Sequence, residues 1–169
     1  KDYIVKASVG HIYELAKIEE NFEPNYEIIK GKAKVLKELK DTMKTVKNVI
    51  LAGDADREGE AISWSVAHAL KLPVETCPRI VFHEITEPAL RAAIAAPRTI
   101  DMSLVFAQQA RQILDMVVGY KISPVLWTYV AHTNLSAGRC QTPALRLIYD
   151  NYKEIETSTA ELVYTVSGI

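Results

Sequence analysis

Residues 49–62 read VILAGDADREGEAI and begin with four consecutive apolar residues. Such a run is typical of a buried strand in a parallel sheet. Apolar residues then recur at helical spacing as far as Leu70, shortly before Pro73. The stretch therefore predicts a strand, a loop at 53–59 and a helix. Because open α/β sheets bind ligands at the carboxyl ends of their strands, we expect a site in this loop.

Three acidic residues alternate along the loop, at Asp54, Asp56 and Glu58. Carboxylates at this spacing can turn toward one point, and oxygen ligands suit Mg²⁺, which retains waters for a phosphate partner. Without a cation, the clustered carboxylates would repel one another. The alternative is a solvated loop whose acids stabilise the start of the following helix. The position at a strand end favours the metal site.

The chain before and after this loop alternates between strand and helix patterns. Residues 3–8 predict a strand, 12–18 a short helix, 21–34 a loop and 35–46 a surface helix with lysines on its outer face. After the loop and its helix, residues 79–83 predict the next buried strand. This order is typical of an α/β domain with a parallel sheet.

The second half of the chain is mainly helical. Residues 86–96 predict a helix capped by a threonine, and residues 102–118 predict a longer helix that ends at Gly119. A further helix opens at 142 with a Thr-Pro pair and continues to 152, and only 160–166 reads as a strand again.

Composition limits the class of protein. The chain has 169 residues, and 49% of them are hydrophobic, as is typical of a globular protein. Its 20 basic and 21 acidic residues leave a formal net charge of −1. A net charge this small neither favours nor excludes binding to nucleic acid. Its apolar runs are far shorter than the ~20 residues of a membrane span. Cys77 and Cys140 have no CxxC spacing, which argues against zinc and disulfides. With no secretory pattern at residues 1–6, we expect a cytoplasmic protein that does not associate with membranes.

Five stretches, taken in order along the chain, resemble the type IA DNA topoisomerases. They are ASVGHI at 7–12, the acidic loop and its flanks at 51–62, RIVFHEIT at 79–86, AQQAR at 107–111 with Asp115, Gly119 and Tyr120, and LSAGRCQTP at 135–143; Ser123, Pro124 and Trp127 fit as well. The acidic stretch resembles the TOPRIM motif of that family. The resemblance implies a TOPRIM α/β domain followed by a mainly α-helical domain.

The resemblance also implies an activity. Type IA topoisomerases relax negatively supercoiled DNA without ATP: a tyrosine attacks one strand, stays joined to its 5′-phosphate while another strand passes, and the released hydroxyl then reseals the bond. By resemblance, Asp54, Asp56 and Glu58 would bind Mg²⁺, with Arg57 and Glu58 supporting catalysis. The residues implied to contact single-stranded DNA are His11, Arg79, Arg111, Gln112, Asp115, Tyr120, Trp127, Ser136, Ala137, Gly138, Arg139, Cys140 and Gln141.

Two groups of these residues have simpler interpretations near the acidic loop. His11 follows Gly10 and could be a turn histidine that hydrogen-bonds locally. Arg57 and Arg79 could contact phosphate, or they could simply balance the charge of the acids.

Simpler interpretations also exist in the helical half. Arg111 and Asp115 are four residues apart, so they could form an ordinary surface ion pair on a helix. Tyr120 and Trp127 could stack on bases or could belong to a hydrophobic core. Residues 136–141 combine a glycine, which lets a backbone approach phosphate closely, with hydroxyl, guanidinium and amide donors.

The family nucleophile stands before a Pro-Arg pair, and none of the 8 tyrosines does. At Pro97 and Arg98 the preceding position is Ala96, which we interpret as a chance match at a domain junction. We therefore expect a monomeric fragment that binds Mg²⁺ and single-stranded DNA but does not relax DNA alone. We expect a TOPRIM domain at 1–96 without its first strand, part of a helical DNA-groove domain at 97–156, and the start of a strand-containing domain at 157–169.

Three other functions are weighed against this one. Primases and nucleases with a TOPRIM fold use similar acids, but the stretches at 107–111 and 136–141 argue against them. A non-catalytic DNA-binding module would differ in having no need of Asp54 and Asp56 beyond binding. A domain that binds a phosphorylated metabolite would be expected to carry a glycine-rich phosphate loop, which the sequence lacks.

Overall fold

The computed structural model describes residues 3–18, 23–130, 134–159 and 163–168. Its contacts divide the chain into two compact units, Lys1–Leu114 and Asp115–Ile169. The elements in chain order are β1 (Tyr13–Ile18), β2 (Pro24–Ile28), α1 (Ala33–Met43), β3 (Leu51–Gly53), α2 (Arg57–Leu70), β4 (Arg79–Val81), α3 (Glu87–Ala95), α4 (Met102–Val130) and α5 (Gln141–Thr157).

A short parallel sheet lies under the acidic loop. β3 pairs with β4 so that Leu51 lies opposite Arg79 and Gly53 opposite Val81. Leu51 is buried with residues of α2 and the start of α4, among them Ala67 and Val105. The predicted α/β class, the two parallel strands and the helix between them are confirmed. The acidic loop leaves this sheet at the carboxyl end of β3, which is the place expected of it.

A second sheet was not predicted. β1 and β2 form an antiparallel pair whose register shifts between Leu15 and Lys17. The prediction of a helix over 12–18 was wrong because this bulge inserts one residue into the strand. The predicted loop over 21–34 was wrong where β2 and the start of α1 lie, and residues 21–22 lie outside the described residues. Leu15 and Ile18 are both half-buried, so the bulge gives a strand the three-residue spacing that a helix would show.

The predicted strand at 3–8 was also wrong. Residues 3–9 have no regular secondary structure, and no strand in the described ranges pairs with them. β-prone side chains form a strand only where a neighbouring strand supplies hydrogen-bond partners. Of the last predicted strand, 160–162 lie outside the described residues, and 163–168 are irregular.

The helices follow the predictions more closely, with one exception. α1, α3 and α5 confirm the predicted helices, and Thr86 occupies the N-cap of α3. α4 does not end at Gly119 but continues through Pro124 to Val130. A glycine that ends a helix adopts a positive φ. In the described ranges only Gly10 and Gly31 among the glycines do so, and Pro124 removes a single hydrogen bond from the helix interior.

Candidate functional site

The acidic loop is a tight connection between β3 and α2. Asp56 is the N-cap of α2, and its side chain accepts a hydrogen bond from the backbone N–H of Gly59 at 2.7 Å. A Cβ at Gly59 would lie 2.3 Å from the backbone oxygen of Asp54. Only glycine allows the first turn of α2 to approach the loop so closely, so the path of the loop depends on this residue.

The three acidic side chains are used differently. Asp54 and Asp56 are exposed, as is Arg57 beside them. Glu58 instead turns to His11, whose Nε2 lies 2.5 Å from Oε1, and accepts a hydrogen bond from the buried side chain of Gln108 at 2.8 Å. The hydrogen bond with His11 is the main reason that the pKa of Glu58 is lowered. Glu58 is therefore held as a carboxylate that already has two partners.

The donor set of the loop fits Mg²⁺ through two carboxylates rather than three. Within the described ranges, no group of three or more His, Cys, Asp or Glu side chains is arranged to hold a metal ion. Mg²⁺ commonly takes one or two carboxylates and completes its shell with water and phosphate oxygens. Asp54 and Asp56 are exposed at the strand end and supply such oxygens, whereas Glu58 is drawn away by His11 and Gln108.

A buried arginine supports the backbone of the acidic loop. The Arg79 side chain is completely buried and donates hydrogen bonds to the backbone oxygens of Gly53 at 3.0 Å and Asp54 at 2.8 Å. Burial lowers the pKa of its guanidinium, while the neighbouring Glu60 acts in the opposite direction. The donors of Arg79 are directed at the loop backbone, and contact of this residue with DNA stays a prediction. Of the two roles open to Arg79, support of the acidic loop is the one that agrees with the structure.

Glu60 completes this support and was missed by the sequence analysis. Its fully buried carboxylate lies 3.6 Å from Nε of Arg79, pairs with Arg98, and accepts a hydrogen bond from the backbone N–H of Asp101 at 3.3 Å. Arg98, interpreted from the sequence as part of a chance match, is thus a partner of the buried acid. The signal was available: Glu60 lies on the same helix face as Ser63 and Ala67, and an acid on a buried face requires a buried cation.

A small pocket of about 10 Å³, partly open to solvent, lies beside the His11–Glu58 pair. It is lined by His11, Tyr13, Tyr26, Ala61, Trp64, Ser65, Gln108, Gln109 and Gln112. The Tyr26 hydroxyl donates to Gln112 at 3.2 Å, and its ring meets Trp64 edge-on at 5.8 Å between centroids. His11 and Gln112, both implied to contact DNA, therefore line one pocket, and Arg111 is half-buried next to Gln112 in α4.

The other residues implied to contact DNA lie in the second unit, on α4, on residues 134–140, which we call the contact segment, and at Gln141, where α5 begins. Arg139 donates to both carboxylate oxygens of Asp115, at 2.8 and 3.3 Å. Tyr120 is 74% exposed, so its ring is not part of a core. Ser136, Cys140 and Gln141 are exposed, with Cys140 at the N-cap of α5.

Two backbone donors of the contact segment are already used within the protein. Ala137 is buried and its N–H donates to the Ser123 hydroxyl at 3.1 Å, while the N–H of Gly138 donates to the Thr142 hydroxyl at 3.2 Å. Neither N–H is available to a phosphate in this arrangement. The exposed side chains of the segment, rather than these amides, are the groups that face solvent.

Comparison with known proteins identifies the family. A model of the Toprim domain matches residues 1–85, and a model described as DNA topoisomerase matches residues 99–169. The crystal structure of full-length topoisomerase I from Thermotoga maritima is similar to this chain, with 46% sequence identity, a TM-score of 0.78, and coverage of 90% of this chain and 27% of that one. The chain belongs to the type IA DNA topoisomerase family.

This membership confirms the family recognised from the five stretches and the TOPRIM fold. A topoisomerase match over residues 99–169 also separates the chain from TOPRIM primases and nucleases, because it lies wholly beyond the Toprim match, which ends at residue 85. This chain spans about a quarter of the length of the Thermotoga protein. None of the helices in the described ranges is both long and apolar enough to cross a membrane.

Proposed function

We propose that this chain supplies the Mg²⁺-binding loop and part of the single-stranded DNA surface of an enzyme that relaxes negatively supercoiled DNA. The observation that carries the proposal is the pair of exposed carboxylates, Asp54 and Asp56, on a loop whose backbone is fixed by Gly59 and Arg79. A rigid loop that presents two oxygens at a strand end suits a cation that must meet a phosphate in a defined position.

In the proposed reaction, a tyrosine oxygen bonds to phosphorus and the 3′ oxygen leaves; religation reverses this exchange, so bond number is conserved. When bound at Asp54 and Asp56, Mg²⁺ would offset the charge of the backbone phosphate. Glu58 would stay ionised beside His11, which supports its role as a fixed negative group rather than a proton donor. Arg79 and Glu60 would act only through the loop that they support.

The proposed DNA surface combines charged groups and exposed rings. Arg139 would contact phosphate. Its side chain is 38% exposed in its ion pair with Asp115. Tyr120 offers a ring for base stacking, worth about 1–3 kcal/mol per base. Ser136 and Cys140 lie exposed on the same contact segment and Gln141 at the start of α5, and His11, Arg111 and Gln112 form a second group on the first unit.

We further propose that the chain by itself binds single-stranded DNA but does not relax supercoiled DNA. No tyrosine in it stands in the Pro-Arg context of the family nucleophile. The acidic loop would then serve a tyrosine supplied by the rest of the enzyme, and the DNA surface alone would retain a measurable function.

The metal role is tested in the parent enzyme with Asp54→Asn and Asp56→Asn together. Asparagine is as good an N-cap as aspartate, so the start of α2 should be preserved while both charges are removed. Mg²⁺-dependent relaxation should be lost and single-strand binding retained. The matched control is Glu38→Gln with Asp41→Asn, two exposed acids on α1. Undiminished relaxation by the loop variant would reject the metal site and favour a non-catalytic DNA-binding role.

The DNA role is tested by fluorescence anisotropy of a labelled single-stranded oligonucleotide over a series of salt concentrations. Binding should weaken as salt rises, with a slope that reflects the number of phosphate contacts. Arg111→Ala with Arg139→Ala should make that slope shallower. The absence of any binding by the unmodified chain at low salt would reject the proposed DNA surface.

A further inference from the structure

One face of α4 holds the contact segment along its length. Asp115, Ser123 and Trp127 are separated by multiples of four residues, so they lie on one stripe of the helix. Each of them bonds to a different residue of the contact segment. Arg139 donates to Asp115 at 2.8 Å, the Ala137 N–H to Ser123 at 3.1 Å, and the indole N–H of Trp127 to the Leu135 carbonyl at 2.6 Å.

The order of these bonds shows that the segment runs antiparallel to α4. Contacts at 135, 137 and 139 meet the helix at 127, 123 and 115. Four helical residues rise about 6 Å and two extended residues about 6.6 Å, so neighbouring bonds at Trp127 and Ser123 match in spacing. The longer step to Asp115 is bridged by the length of the Arg139 side chain. The helix stripe therefore sets the register of the segment.

One of the two backbone bonds differs from the ion pair in exposure. Ser123 and Ala137 are 7% and 8% exposed, so the hydrogen bond between them is shielded from water. Losing one partner of such a bond leaves a buried polar group unsatisfied. The indole N–H of Trp127 is committed to Leu135, although 41% of the residue is exposed. The indole N–H of Trp127 thus binds the backbone of the contact segment.

We propose that Ser123 and Trp127 are positioning residues for nucleic-acid binding, which fix the contact segment on α4 so that Arg139 is presented to a phosphate. The proposal rests on the proposed function of the contact segment in binding single-stranded DNA. It assigns to Trp127 a role through its N–H instead of the base stacking that the family resemblance implies. It also gives a function to Ser123, which had none.

Trp127→Phe separates the two roles of the tryptophan, because phenylalanine keeps a flat ring and removes the N–H. Positioning predicts roughly threefold to tenfold weaker binding of a labelled single-stranded oligonucleotide, the loss of one net hydrogen bond. It also predicts a salt slope shallower by about 0.7, as for the loss of one phosphate contact in Arg139→Ala. Ser123→Ala should act in the same direction. Tyr129→Phe, an exposed aromatic of the same helix, is the matched control and should bind as the unmodified chain does.

A double-mutant cycle distinguishes positioning from general destabilisation. If Trp127 acts through Arg139, then Trp127→Phe combined with Arg139→Ala should bind no more weakly than the weaker single variant. Additive losses, or Trp127→Phe binding with unchanged affinity, would overturn the positioning role and favour stacking. Failure of the unmodified chain to bind would overturn the proposed function and, with it, the DNA role of the stripe.

Limited trypsin digestion tests the positioning without DNA. Cleavage after Arg139 should be faster in Trp127→Phe and Ser123→Ala, because a released segment enters the protease more readily. Cleavage after Arg146 in α5 is the internal reference, since loss of the whole unit would accelerate both cuts. An unchanged rate at Arg139 in both variants would overturn the proposal.

Discussion

The acidic loop and the contact segment are short stretches that carry the proposed chemistry, yet they are held in opposite ways. Fully buried groups fix the acidic loop: Arg79 donates to its carbonyls, and Glu60 pairs with that arginine. The contact segment is held partly by the Arg139–Asp115 ion pair, whose side chains are 38% and 43% exposed. The acidic loop is thus anchored by buried groups, whereas the contact segment combines one buried hydrogen bond, between Ala137 and Ser123, with exposed contacts.

This difference agrees with what each region is proposed to do. A loop that holds a cation against a phosphate must have its geometry before the ligand arrives, and buried partners supply that geometry. An arginine that contacts a phosphate must exchange one anionic partner for another. Exposed ion pairs contribute only about 0–1 kcal/mol, so Arg139 can leave Asp115 at little cost.

The largest expected effect comes from breaking the buried anchor. Glu60→Ala would leave the buried Arg79 without its carboxylate and should lower the free energy of unfolding by about 3–5 kcal/mol. Urea denaturation followed by circular dichroism measures this. Glu38→Ala on the exposed face of α1 is the control: it removes only an exposed ion pair with Lys6 and should change stability by no more than about 1 kcal/mol. Equal effects of the two variants would show that burial is not what anchors the loop.

Alanine substitutions at two glycines, one in each unit, should change the stability of the protein in opposite directions. Gly59→Ala would place a methyl group 2.3 Å from the Asp54 oxygen and should cost about 1–3 kcal/mol. Gly119→Ala meets nothing within 4 Å inside α4 and should stabilise the protein by up to about 1 kcal/mol. Thermal melts of the two variants give both signs at once, and destabilisation by Gly119→Ala would contradict the helical assignment there.

Sequence patterns predicted the parts of the fold that depend on local order. The parallel strands β3 and β4 and helices α1, α3 and α5 follow from apolar runs, helical spacing and the Thr86 cap. The β1–β2 pair was not predicted, because a bulge gave its apolar residues the spacing of a helix. Strand pairing depends on residues distant in sequence, which periodicity within one segment does not report.

In the candidate site too, the sequence predicted what depends on local order and missed what depends on distant residues. The acids at 54, 56 and 58 could be located from the sequence because they follow a buried strand. The partners that give each acid its separate role could not: Glu58 turns to His11, which lies 47 residues earlier in the chain. The position of Glu60 on a buried helix face indicated that this acid needs a partner, but nothing in the sequence identified Arg79 as that partner.

Arg139→Ala tests the surface anchor. Removing an exposed ion pair should lower the free energy of unfolding by no more than about 1 kcal/mol, while single-strand binding weakens and becomes less sensitive to salt. Stability from urea denaturation and affinity from anisotropy should therefore separate in this variant, whereas Glu60→Ala should lower stability most. A loss of stability as large as that of Glu60→Ala would remove the distinction between the two regions.

The smallest effect on stability is expected on lowering the pH, through Glu58, which lies between the acidic loop and the pocket. His11 lowers the pKa of Glu58, so the stability that this carboxylate contributes is present above the pKa of an unfolded glutamate, about 4.3. It is lost as the pH falls through the lower pKa of the folded state. Because Glu58 is 45% exposed in its side chain, solvent screens the effect. The melting temperature of Glu58→Gln should lie slightly below that of the unmodified chain at neutral pH, and the difference should narrow as the pH falls below about 4.3. A constant difference across that range would show that the His11–Glu58 contact contributes through packing rather than through charge.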